Sequence, residues 1–458
     1  MNRAVLTIAF LILVNSFAAA ANRGAFREER AGWVYVHLEG SPEQIGFHHG
    51  ALLAPEIDDA LKMMKLFVKR SSGKDWAFYR QAAERMFWPK LDPEYRAEIT
   101  GIVRGLKSKG KQYDTTDITA LNGWMELAWY YIPDFDERVK RAKNHGAGDH
   151  CSAFIATGAT TSDGKIVMAH NAWVDYIVGE RWNVILDIVP TRGSRIVMDS
   201  FPGFIHSGTD FVETSAGLLY TETTIGGFRG YNPNGVPEFQ RARKAAQYGR
   251  SIDDFVRIMK TGNNGGYANT WLIGDTKTNE IARLELGLKN VNLARTSDGI
   301  FYGSNYPIDD KLIHEETSYD PAVMEASNTA RKMRWERLGT ETRGKIDLAA
   351  AKGFLADHFD EAFMTPGACL RTLCGHGETD SVGIPEAGWG PYYPIGAAQG
   401  KVTTTALAKE LKLWARMGHP CGGDFLVAPF LKKRPQYKWQ APFLHDMKSH
   451  PWAEFGAH

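Results

Sequence analysis

The sequence predicts an α+β fold in which helices flank antiparallel sheet. Three observations carry that prediction. Apolar residues recur at helical spacing from Pro42 to about Ile132. At Cys151 the period switches to the alternation of strands. The blocks then run helices, strands, helices, strands, helices, without the regular βαβ alternation of a parallel sheet.

The first residues stand apart. Arg3 precedes an almost uninterrupted apolar run, Ala4–Val14, and "NSFAAAAN" offers small residues for cleavage after Ala20 or Ala21. That run is too short to span a bilayer as a helix. Residues 1–21 are therefore expected to be a signal peptide, and the protein to be secreted or periplasmic without a stable membrane anchor. In a eukaryote the destination would be a lysosome-like compartment.

Residues 22–150 read as a helical N-terminal segment. "PEQIGFHHGALLAPEIDDALKMMKLFVKR" is helical with an interruption at Pro55. "DPEYRAEITGIVRGLKSKG" opens on an acid and a proline and closes on Gly110, as helix ends prefer. "TTDITALNGWMELAWYY" is a third, strongly apolar helix, and "DERVKRAKNHGAGDH" a polar, basic loop.

Residues 151–458 make the second part. "SAFIATGATTSDGKIVMAHNAW" reads as a hairpin turning at Ser162-Asp163-Gly164. "WNVILDIVP", "RIVMDSFPG" and "AGLLYTETT" are further strands, followed by helices in "PEFQRARKAAQYG" and "SIDDFVRIMKTG". "YANTWLIGDTKTNEIARLELGLKNVNLART" holds two or three strands. Later helices are expected at "AVMEASNTARKMRWERLG", "DLAAAKGFLADHF" and "TTTALAKELKLWARMG".

Composition narrows the function. The 458 residues are 43% hydrophobic and 23% charged, ordinary for a globular protein. Without Arg3 the basic and acidic residues are equal in number, and no Lys/Arg stripe marks a nucleic-acid partner. G-x-S-x-G, Walker and H-E-x-x-H motifs are all missing from the sequence. Four cysteines in a chain this long do not make a disulfide scaffold. If Cys151 is free, Cys369, Cys374 and Cys421 give at most one bridge. In "TLCGHGETD", Cys374, His376 and Asp380 lie too close together for a spatially assembled triad, and the stretch reads as a loop.

Cys151, in "GAGDHCSAFIATG", sits between a polar loop and an apolar strand. Three readings compete. It is half of a disulfide, a metal ligand with His145, Asp149 and His150, or a nucleophile. Metal spacing is poor, because His150 and Cys151 are adjacent and no x₂ or i,i+4 pair is present. The nucleophile reading has a specific form. A cut between His150 and Cys151 would leave an α-amine, with an ordinary pKa of about 7.7–8.0, beside the thiol it must deprotonate.

"HCSAFIATG…KIVMAHNAWVDY", "SFPGFIHSGTDF", "GLLYTETTIGG" and "GYANTWLIGD", in that order, resemble the phospholipase B-like family of N-terminal-nucleophile hydrolases. "SPEQIGFHHGALLAPEI" is similar to the N-terminal part of that family and of the more distant penicillin acyltransferases. The resemblance implies a four-layer αββα sandwich, autocatalytic cleavage before Cys151, and a mature protein holding its own N-terminal fragment as partner. It also implies an oxyanion role for Asn269 in "YANTW".

Other candidates follow from the same blocks. His170 ends the second strand of the hairpin, where relatives often carry an arginine, and could favour the thiolate. Asn171 belongs to the same "HNAW" block. Glu222 in "TETT" would organise the site if buried, and is an ordinary strand acid if exposed. Arg331 in "SNTARKMRW" could reach the site from a helix start, although a solvated helix face fits it better. The expected substrate is a small acyl compound, a phospholipid ester or an N-acyl amide, cleaved without metal or organic cofactor. A binding protein that keeps the fold without turnover is the alternative from another class.

Overall fold

In a computed structural model, residues 24–138 and 151–457 are described. The expected signal peptide, and His145, Asp149 and His150, lie outside them. The architecture is mixed α+β, with two large sheets stacked face to face.

Within the segment expected to be helical, residues 25–40 form strands instead. Ala25–Arg30 (β1) and Trp33–Gly40 (β2) pair antiparallel around the turn Ala31-Gly32, where both φ angles are positive. The cause is legible in "WVYVHLE", which alternates branched or aromatic residues between two faces. Four helices follow that match the expected pattern: Pro42–Leu52 (α1), Ala54–Ser72 (α2), Pro93–Ser108 (α3) and Thr115–Asn122 (α4). Ser41 and Asp114 cap α1 and α4 with reciprocal capping boxes. Where α1 crosses α3, Gly46, Gly50, Gly101 and Gly105 let the backbones touch. A Cβ on Gly46 would overlap Glu98 O, and one on Gly101 would overlap Glu43 O.

Ser152–Thr157 (β3) and Val167–Asp175 (β4) form the expected hairpin, with Ala153 opposite His170. Val184–Pro190 (β5), Ile196–Ser200 (β6), Val212–Thr214 (β7) and Leu218–Thr224 (β8) come next. Two helices, Glu238–Tyr248 (α5) and Ile252–Lys260 (α6), precede Asn269–Asp275 (β9), Glu280–Leu286 (β10), Val291–Thr296 (β11) and Gly299–Gly303 (β12). The remaining main elements are Ser327–Glu341 (α7), Leu348–Leu355 (α8), the short pair Phe359–Asp360 (β13) and Thr365–Pro366 (β14), Ile395–Thr404 (β15), Lys412–Met417 (β16) and Ala453–Gly456 (β17).

One expected helix is corrected. "TTTALAKELKLWARMG" is helical only at Thr405–Lys409, and "KLWARM" is strand β16. Its residues alternate partly exposed and buried, so Leu413, Ala415 and Met417 face inward with period two.

The nine-stranded sheet runs β1-β2-β5-β6-β7-β8-β9-β10-β11, antiparallel except where β2 lies parallel to β5. The six-stranded sheet runs β12-β3-β4-β15-β16-β17. Trp33, Tyr35, Ile185, Leu219 and Leu272 from the first sheet interdigitate with Ala153, Ile155, Met168, Leu413 and Phe455 from the second. The opposite face of the nine-stranded sheet, with Val34, Val36 and Leu38, is covered by α1–α6. The opposite face of the six-stranded sheet, with Phe154, Ala156 and Ala169, is covered by Trp335 of α7 and Phe354 and Leu355 of α8. No helix among the described residues is long and apolar enough to cross a membrane.

Candidate active site

Strand parity decides what points where. On β3, Ala153 and Ile155 belong to the layer between the sheets, whereas Phe154 and Ala156 face α7 and α8. Cys151, just before β3, shares the parity of Ala153. On β4, Met168 points between the sheets, and His170 shares its parity. His170 is mid-strand, not terminal, and is flanked in register by Ala153 on β3 and Lys401 on β15.

Cys151 Sγ, a His170 ring nitrogen and a Glu222 carboxylate oxygen lie within 4.8 Å of one another. All three residues are buried. Cys151 is a free thiol, as are the other three cysteines, so the disulfide reading of Cys151 fails. Its φ is +76°, a left-handed conformation uncommon for a residue with a Cβ. Burial, then the Glu222 charge, pushes the thiol well up, while Lys401 and Arg331 pull the other way. Burial and the Lys401 charge push His170 well down, so its imidazole is neutral. Neither of its ring nitrogens makes a hydrogen bond of ordinary geometry.

Glu222 is buried, not an exposed strand acid. Tyr267 Oη donates to its Oε1 at 2.9 Å and also to Gly208 O at 2.8 Å. Asn269, the first residue of β9, is fully buried. In the amide orientation that satisfies its neighbours, its Nδ2 donates to Glu222 Oε2 at 2.9 Å and Ala268 O at 3.0 Å. Asn269 therefore joins the cluster through Glu222. Burial and the neighbouring Asp210 push Glu222 well above the usual carboxylate range.

Arg331 is buried on α7 rather than lying on a solvated face. It donates to Cys151 O, to Ser152 Oγ at 3.1 Å and to Asn305 Oδ1 at 3.0 Å. Its guanidinium lies 4.3 Å from the centre of the Trp173 ring. Asn171 has the opposite parity to His170 and turns away from the thiol. Its Nδ2 donates to Leu355 O at 2.7 Å and Leu373 O at 3.0 Å, which makes it a support for the neighbouring loop.

The profile of the phospholipase B family matches residues 57–302, more than half the chain and the span that holds Cys151, His170, Glu222 and Asn269. The chain belongs to the phospholipase B family. Among relatives, phospholipase B-like 1 of Bos taurus is 25% identical over 309 residues, 61% of this chain and 53% of its own. A protein of Archaeoglobus fulgidus, named only as uncharacterized, is 27% identical over 277 residues, covering 56% of this chain and 44% of its own. Phospholipase-B 81 of Drysdalia coronoides is 30% identical over 228 residues, 46% of this chain and 40% of its own. The chain spans about half the length of the curated relatives it matches.

Several polar groups of this family member were not anticipated. Lys401, fully buried on β15, donates to Asp199 Oδ2 on β6 at 2.7 Å and to Thr209 Oγ1 at 2.9 Å, tying the two sheets together. "IGAAQGKVTT", with two glycines and two alanines ahead of Lys401, hides that lysine in a stretch that does not read as strand. Asp210, at φ +49° and buried without a hydrogen-bond partner for either oxygen, is pushed up by burial and by Asp199. Its signal is the "GTD" following His206 and Ser207, in a block singled out for likeness rather than chemistry.

Proposed function

We propose that the chain is an N-terminal cysteine hydrolase of the Ntn type, freed by its own cleavage at His150–Cys151, that hydrolyses acyl ester or amide bonds. The helix–sheet–sheet–helix layering supports that assignment. The observation that carries it is Cys151, strained at the head of a buried strand, with a neutral imidazole and a buried carboxyl beside its sulfur. A left-handed backbone at a residue with a Cβ costs on the order of 1–3 kcal/mol, and cleavage of the preceding bond relieves it.

In the first cut, Sγ attacks the carbonyl carbon of His150. His170 takes the thiol proton and passes it to the departing nitrogen as the C–N bond breaks and the C–S bond forms. Water then hydrolyses the thioester, leaving the His150 carboxylate, the restored thiol and a free α-amine on Cys151. Before the cut the thiol is buried and held neutral, so the nucleophile is latent.

In turnover the α-amine takes the thiol proton, Sγ attacks the substrate carbonyl, and the leaving alcohol or amine receives that proton. Water releases the acyl group from sulfur. Asn269, oriented by Glu222, turns one N–H from Ala268 O to the oxyanion. Arg331 holds the Cys151 carbonyl and thereby the strand head. Nothing in this sequence of steps calls for a metal or organic cofactor. The names of the relatives favour a phospholipid ester; an N-acyl or peptide amide is the second substrate class, because the enzyme must already cleave an amide to form itself. The leader-like residues 1–21 support export, to the outside or the periplasm, or to a lysosome-like compartment in a eukaryote.

The test is intact mass with N-terminal sequencing of the purified protein, then acyl-substrate assays. A fragment beginning Cys-Ser-Ala-Phe in the wild type, with a single uncut chain in Cys151→Ala, is expected. Normal processing of Cys151→Ala would assign the cut to an outside protease. The burial of Cys151 gives a non-catalytic binding protein its one argument, and an uncut, inactive wild type would mean either a stalled precursor or such a binding protein.

A further inference from the structure

Away from Cys151, three loops beyond the family-matched span bring together His358, Cys374, His376 and Cys421. His358 lies between α8 and β13, Cys374 and His376 in the loop before β15, and Cys421 in the turn after β16. One donor atom from each lies within 4.8 Å of all the others. We propose that these four residues bind a zinc ion in a tetrahedral Cys₂His₂ site that staples the loops beside the Cys151 hairpin.

The distances fit. Zinc–sulfur bonds of about 2.3 Å and zinc–nitrogen bonds of about 2.0–2.1 Å, at tetrahedral angles, set sulfur and nitrogen about 3.5 Å apart. Cys374 Sγ and Cys421 Sγ each lie 3.5 Å from His376 Nε2. The imidazole is already oriented for the task. His376 Nδ1 donates to Glu378 Oε1 at 2.8 Å, which leaves the Nε2 lone pair facing the sulfurs. Glu378 in turn accepts from Tyr176 Oη. A carboxylate behind the histidine is the usual outer partner of a metal ligand. His358 brings one ring nitrogen into the cluster, and its buried Nε2 makes no hydrogen bond that would hold the ring elsewhere. His419 packs on His376, their ring centres 4.1 Å apart, with its Nδ1 on Ala397 O at 2.7 Å and its Nε2 3.9 Å from Glu378 Oε1; it groups with Glu378 rather than with the two sulfurs, so the ligand set stays at four.

Two thiolates and two neutral imidazoles suit zinc among the available metals. Binding releases the two thiol protons, and the ion's two positive charges balance the two thiolates. A Cys374–Cys421 disulfide would use the same sulfurs but give the nitrogens of His358 and His376 no ion to bind. The site acts on structure. Leu373 O, next to Cys374, accepts from Asn171 Nδ2 at 3.0 Å and Trp173 Nε1 at 3.2 Å, and Trp173 lies under Arg331.

The experiment measures metal in the purified full-length protein, then removes it with a chelator and titrates in zinc or cobalt. One equivalent of zinc per chain is expected, with a lower melting temperature after chelation. Cobalt should give the visible bands and thiolate charge-transfer absorption of a tetrahedral sulfur–nitrogen site. Cys421→Ser should roughly halve that charge-transfer absorption, and Glu378→Gln should weaken zinc binding by about 10–100-fold. Cys151→Ala should bind zinc as the wild type does, which separates this site from the cleavage reading. A wild type that takes up neither metal, or a peptide map with Cys374 joined to Cys421, would overturn the proposal.

Discussion

Asn269 meets two demands with one amide. It must hold Glu222, and in the proposed reaction it must also donate to an oxyanion. Asn269→Ala should therefore still bind substrate but lower kcat by about 100–1000-fold, the usual loss of one such donor. Steady-state kinetics check this, and an unchanged kcat would remove Asn269 from the oxyanion. A second residue sets a pH dependence. Burial pushes Glu213 up to about 8 from an ordinary value of 4.5. Between those values the folded chain holds a proton that the unfolded chain gives up, so stability falls as pH rises through the window. Buried His49 and His206, pushed down to about 4 and 3, act oppositely below their ordinary 6.5. From pH 6.5 to 8 these histidines no longer contribute, and Glu213 adds to the fall alongside other raised carboxyls such as Asp210. Glu213→Gln should flatten that part of the profile by about 1–2 kcal/mol in urea titrations at the two pH values. At this scale the sequence was partly legible. Cys151 and His170 stood out because unusual residue types interrupt apolar strands. Arg331 read as solvated because its neighbours are charged, and only the α7 packing buries it. Cys421 read only as a possible disulfide partner and His358 carried no signal, since the two lie far apart in sequence and their partners come from a third loop.

The hairpin of β3 and β4 was the most legible element, because its apolar strands and its Gly-containing connection agree. The "KLWARM" strand was not, since Leu407, Leu411 and Trp414 also fit a helical period, and pairing with β15 and β17 decides for strand. The α1–α3 crossing was also hidden. Its glycines at four-residue spacing lower helix propensity, yet they are what allows backbone contact. Gly101→Ala tests the balance. Alanine gains about 1 kcal/mol of helix propensity. Its Cβ, however, meets Glu43 O and the backbone of Phe47 and Gly46, which cannot swing aside as a side chain would. Overpacking of this kind costs about 1–3 kcal/mol, so a net loss of stability is expected by thermal or urea unfolding. A stabilised Gly101→Ala would mean that the helices slide apart without cost.

Across the whole molecule, the proposed cut divides the chain but not the core. The N-terminal piece supplies β1, β2 and α1–α4, and β2 lies buried between β1 and β5. The two fragments should therefore co-elute in size-exclusion chromatography after cleavage and separate only in denaturant. Elution of two independent species from native protein would contradict this. The antiparallel, helix-flanked plan was legible because period and order agree over long stretches. The placement of β2 beside β5 was not, since nothing local announces a partner that distant. That parallel pairing also has a consequence for synthesis. Val34 cannot meet Val184 until the intervening chain has been made. At about 5–20 residues per second, β2 waits on the order of ten seconds with one edge open. The first helices can pair meanwhile, so the growing chain carries an unfinished sheet on a finished helical face. An exposed strand edge of that kind is what a holding chaperone binds, and substitutions that slow β5 should show as lost yield before they show as lost activity.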